Sequence, residues 1–113
     1  MVTMHGFFDL KPNQDEQTFK AVYDRFGDFL IKEKLITAHK TQRRSYDDNY
    51  DSSPPETKYY VSMDFVDLKQ SQDCWAFIEQ HSPESAKLHR DVFARITNYA
   101  FFLSEDIPAA GES

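Results

Sequence analysis

The chain has 113 residues, a formal net charge of −6 and a pI near 5.1, with ten phenylalanines, six tyrosines and one tryptophan. That length makes one domain with a modest core, in which the aromatic rings supply much of the apolar area. The acidic balance excludes ordinary nucleic-acid binding, which needs clustered Lys and Arg, and the single cysteine, Cys74, excludes an internal disulfide and a cysteine-based zinc cluster.

No basic segment followed by an apolar run opens the chain, and no stretch is apolar for long enough to cross a bilayer. A cytoplasmic, reducing location with no membrane partner is the expectation. The first predicted element is a strand, Val2 to Leu10. Val2, Met4, Gly6, Phe8 and Leu10 share one face; Thr3, His5, Phe7 and Asp9 share the other. "KPNQDE" stops the strand and starts a helix, with Asn13 as the expected cap and Glu16 three residues later. From Gln14 to about Lys34 the residues Phe19, Val22, Tyr23, Phe26, Phe29 and Leu30 form one apolar stripe. Gly27 inside this helix implies close packing of the backbone on a neighbour, since glycine costs about 1 kcal/mol there.

A second, more polar strand runs from Ile36 to Ser45, and residues 46–57, rich in Asp, Ser and Pro, read as a long connection that is either a lid or an arm. The third strand spans Lys58 to Val66. Ser71 is the expected cap of a helix from Gln72 to about His81, and Ser82-Pro83 restarts the helix, with Leu88, Val92, Phe93 and Ile96 on its buried side. Thr97 to Leu103 alternates as a fourth strand, and residues 105–113 read as a flexible tail after a single domain, 1–104. The order β-α-β-β-α-β, with the second helix broken in two, is an α+β ferredoxin-like unit: an antiparallel sheet with helices on one face.

Comparing the strands face by face gives one set that is almost wholly apolar and fits a face under the helices. The other set mixes polar groups with aromatics: His5, Phe7, His39, Arg43, Tyr60, Ser62, Asp64, Asn98 and Phe102. Rings such as Phe7 and Phe102 are costly to expose, at roughly 1.5–3 kcal/mol each, and buried His5 and Asp64 need hydrogen-bond partners. Dimerisation through this open face, with a partly polar cavity between two sheets, meets both demands.

With the stretches "MHGFFDLKP", "KYYVSMDFVD" and "NYAFFL", the chain resembles the dimeric α+β barrel superfamily across nearly its whole length. That superfamily includes antibiotic-biosynthesis-type monooxygenases, stress-responsive barrel proteins, muconolactone isomerase and dye-decolourising peroxidases, and the resemblance is greatest to its small, functionally uncharacterised bacterial members. The resemblance implies a homodimer that holds a small hydrophobic or aromatic ligand against its inner sheet face. It carries over no catalytic motif.

The candidate catalytic pair is His5 with Asp64, a histidine whose tautomer a carboxylate would fix. Tyr60, Asn98, His39, Arg43, Phe7 and Phe102 are the candidate substrate-binding residues. Arg43 is suited to clamp a carboxylate and equally to pair with an acid at the rim. No metal site and no cofactor are expected, because the histidines lack helical metal-ligand spacing. His81, His89 and Cys74 read as structural groups. The function expected is cofactor-independent oxygenation or isomerisation of a small aromatic molecule. The alternatives are a non-catalytic ligand-binding or stress-associated dimer and a purely structural dimer.

Overall fold

The structure, a computed structural model, describes residues 1–47, 49, 50, 52, 56–80 and 82–111. Seven elements follow in order: β1 (Val2–Leu10), α1 (Glu16–Lys32), β2 (Ala38–Arg43), β3 (Tyr59–Phe65), α2 (Leu68–Glu79), α3 (Pro83–Phe93) and β4 (Ile96–Glu105). The strands form one antiparallel sheet in the order β2-β3-β1-β4. This is the ferredoxin-like α+β arrangement, with β1 and β3 central and the second helix split into α2 and α3.

The helix starts differ from expectation at two places, both for the same reason. Asp15, not Asn13, caps α1: its carboxylate accepts from the Thr18 N–H at 2.9 Å, while Asn13 turns the chain at a φ of 68°. Asp67, not Ser71, caps α2, accepting from the Gln70 N–H at 2.8 Å. Ser71 is buried one turn inside that helix and its hydroxyl donates to the Leu68 carbonyl. In each case a carboxylate directly before the helix takes the exposed amides that a neighbouring polar residue could also have served. Ser82 and Pro83 open α3 as expected. His81 lies outside the described residues, as do parts of the 46–57 connection and of the 105–113 tail.

The core lies between the sheet and the helices. Phe8, Phe19, Tyr23 and Leu30 are almost wholly buried there, joined by Val61, Met63, Phe65, Cys74, Ile78 and Val92. Gly27 brings α1 against β2, and the imidazole of His39 fills the space a side chain would take. Gly6 plays the same part in the sheet: a Cβ there would lie 2.5 Å from Cε1 of Phe101 on β4, so the absent side chain lets that ring lie flat across β1. Near its start β4 carries one extra residue relative to β1, a bulge at which Asn98 adopts a φ of 54°.

Candidate functional site

The helices do not cover the sheet evenly. α1 packs over the β2 side, and beyond α2 and α3 the β4 side is left uncovered: on the helix side of the sheet Tyr99 is 53%, Phe101 37% and Leu103 50% exposed. The space left between α2, α3 and the sheet is a cavity of about 480 Å³. Its floor is Met4, Phe8, Val61 and Met63; its roof is Cys74, Trp75, Ile78, His89 and Val92; Phe19, Tyr23 and Phe26 of α1 close the inner end. Exposed Trp75, Tyr99 and Leu103 mark the mouth.

The wall is apolar and aromatic, and its buried hydroxyls, Tyr23 and Ser71, are engaged. The Tyr23 hydroxyl donates to the Ser62 carbonyl at 3.0 Å, and burial pushes its pKa far up. Burial likewise pushes the Cys74 thiol up to about 11, so it is protonated at neutral pH and a poor nucleophile. His89 lies between two rings, with centroids 5.8 Å from Phe26 and 4.6 Å from Phe93. A space of this size and lining suits a compact hydrophobic molecule.

A second cluster stands on the open face. His5 Nδ1 is 2.7 Å from the Tyr60 hydroxyl and Nε2 is 2.7 Å from the Ser104 hydroxyl. Phe102 stacks on the imidazole at 4.9 Å, and Phe7 packs between Tyr60 and Phe102. Lys40 lies over the Tyr60 ring at 5.9 Å. With Nδ1 protonated, the imidazole donates to Tyr60 and accepts from Ser104, a polar chain bordered by rings.

Among the expected site residues, the structure brings His5, Tyr60, Phe7 and Phe102 together. It does not bring Asp64 to His5. Thr3 lies opposite Asp64 and donates to its Oδ1 at 2.9 Å, whereas His5 lies opposite Ser62. Asn98 stands at the far end of the same face, donating to Asp9 at 3.3 Å, about 13 Å along β4 from Phe102 at the usual strand rise.

His39 and Arg43 are corrected to the opposite face. His39 pairs with Met63 and packs on α1, its Nε2 2.9 Å from Asp28; Arg43 pairs with Tyr59 and reaches Glu16 of α1. The cause is a bend at Thr37. Ile36 is core but precedes the strand, so alternation counted through it inverts every later position of β2. Lys40 and Gln42, not His39 and Arg43, therefore lie on the open face.

The cavity itself lies on the covered side of the sheet, not on the face where a ligand was expected. Its residues His89 and Trp75 were missed as site groups. The available signal was helical spacing, which sets His89 four residues before Phe93 and in line with Ser85. Among the described residues, no three His, Cys, Asp or Glu side chains are placed to hold a metal ion, and no helix is long and apolar enough to cross a membrane.

Several solved structures share this arrangement. SnoaB, a cofactor-independent oxygenase from Streptomyces nogalater, is 16% identical over 98% of this chain and 97% of that chain, with a TM-score of 0.69. A dabb family protein with a ferredoxin-like fold from Mesorhizobium loti is 14% identical over 95% and 97%, with a TM-score of 0.63. A dimeric ferredoxin-like protein of unknown function from Jannaschia sp. is 12% identical over 93% and 98%, with a TM-score of 0.63. At these identities the likeness is one of fold, the ferredoxin-like fold. No curated protein sequence matches the chain. All of it, residues 1–113, matches one family, and the chain belongs to that family, described as a family of unknown function, DUF6614.

Proposed function

We propose that the chain binds a small hydrophobic, aromatic molecule in the cavity between its sheet and α2–α3. The observation that carries this reading is the cavity's volume of about 480 Å³ inside a wall of aliphatic, aromatic and sulfur-bearing side chains. A concave, apolar and aromatic space of this size, opening at Trp75, Tyr99 and Leu103, has the usual form of a small-molecule site. Trp75, the only tryptophan, lies on the wall and reports occupancy directly. Titration with N-phenyl-1-naphthylamine is expected to quench Trp75 by energy transfer while the probe brightens. The folded variant Cys74→Phe, which puts a ring into the space, is expected to abolish both signals. Absence of quenching in the native protein, or full binding by a folded Cys74→Phe variant, refutes the reading.

A second reading, cofactor-independent oxygenation of the bound molecule, draws support from the likeness of fold to SnoaB. His89 is the wall group suited to accept a proton from a ligand hydroxyl. Oxygen uptake with a naphthalene-diol, lost in His89→Leu while probe binding persists, is the result this reading requires.

We also propose a homodimer paired through the open face. The chain is a slab with a shortest extent of 18 Å and a radius of gyration of 15.4 Å, against about 13 Å for a compact chain of this length. Its open face bears the Phe7, Tyr60 and Phe102 rings, with Phe102 52% exposed.

A further inference from the structure

We infer that the cavity selects for electrically neutral ligands and rejects both carboxylates and ammonium groups of the same shape, an inference that rests on the binding role proposed above. Among the described residues, no Asp, Glu, Lys or Arg lines the cavity. The wall therefore holds no fixed charge to pair with an ionised ligand, and a buried charge without a partner is strongly disfavoured. The buried hydroxyls are already committed, Tyr23 to the Ser62 carbonyl and Ser71 to the Leu68 carbonyl, and the Tyr99 hydroxyl belongs to the mouth. His89 is the one basic ring on the wall, and Phe26 and Phe93 flank it.

Two resident groups report the exclusion of anions from inside. Tyr23 and Cys74 each meet the cavity, and burial raises the pKa of each, which means that the site disfavours their anions. For Cys74 the rise from an ordinary 9.0 to about 11 is a handicap of about 100-fold on the thiolate. A ligand anion held beside Cys74 is disfavoured in the same direction. The class expected is thus a neutral phenol, quinone, ether or hydrocarbon-like ring system, and not an aromatic acid or amine.

The test compares three probes of one shape at pH 8 by Trp75 quenching: 2-naphthol, 2-naphthoate and 2-naphthylmethylammonium. Naphthol is expected to bind more than tenfold more tightly than either ion. Either ion binding within tenfold of naphthol overturns the selectivity while leaving the binding role intact. Failure of all three to bind overturns both. His89→Leu is measured in parallel. If naphthoate binds the native protein and is lost in this variant, His89 is an anion anchor and the inference falls.

Discussion

The contact between Gly27 and His39 makes a prediction whose sign depends on its partner. In an exposed helix interior, alanine in place of glycine stabilises by roughly 1 kcal/mol. Gly27 is in the interior of α1, yet a Cβ there would overlap the Cδ2, Cγ and Nε2 atoms of the His39 ring. The ring has little room to retreat. It is only 10% exposed, it meets Tyr23 edge-on at 5.8 Å, and its Nε2 is held 2.9 Å from Asp28. Overpacking of this kind costs about 1–3 kcal/mol, and losing the bond to Asp28 adds roughly 1 kcal/mol. After the helix gain is subtracted, Gly27→Ala is expected to destabilise the protein by about 1–3 kcal/mol. In a His39→Ala background the obstacle is gone and the same change is expected to stabilise by about 1 kcal/mol. The coupling between the two positions is then about 2–4 kcal/mol, readable from urea unfolding of the four proteins of the cycle. Stabilisation by Gly27→Ala in both backgrounds, with coupling below about 0.5 kcal/mol, refutes the account of this contact.

Two further outcomes concern charge and association. Because the Cys74 thiol titrates near 9.0 unfolded and near 11 folded, the unfolded chain releases its proton first as pH rises. The thiol's contribution is complete below pH 9 and declines toward pH 11, by about 2–3 kcal/mol in all. The stability difference between the native protein and Cys74→Ala, measured by urea unfolding at intervals between those limits, should shrink accordingly; a difference independent of pH contradicts it. Phe102→Lys places a charge on the open face where the native ring is half exposed, so the monomer fold should survive while the dimer is lost in light scattering. A native monomer, or an undiminished dimer in the variant, refutes pairing through that face.

The architecture was legible because most of its signals are periodic. Alternation in β1, β3 and β4 separated the two faces correctly, down to His5, Phe7, Tyr60 and Phe102 meeting on one of them. The bulge at Asn98 did not upset this, because it falls where β4 begins and the later residues keep their phase. β2 failed because its phase was counted from Ile36, a core residue on the wrong side of the bend at Thr37. A one-residue error of that kind moves His39 and Arg43 together. The pairing of His5 with Asp64 failed on register, which alternation does not contain: both residues are on the expected face, but Thr3 is the one opposite the carboxylate. The cavity was illegible for another reason. Cys74, Trp75 and His89 read as parts of ordinary amphipathic helices, and whether such helices close onto a sheet or stand away from it depends on packing across three elements at once.

Gly6 lies beneath the cavity and has no side chain to contribute to it, yet it governs the bore. Any larger residue at that position would lift the Phe101 ring off β1 and into the cavity proposed to hold a ligand. Relatives that differ only at this position would thus accept smaller molecules while keeping the rest of the wall unchanged. The bore of the cavity can therefore drift, or be engineered, from a position in the sheet that is not itself part of the wall.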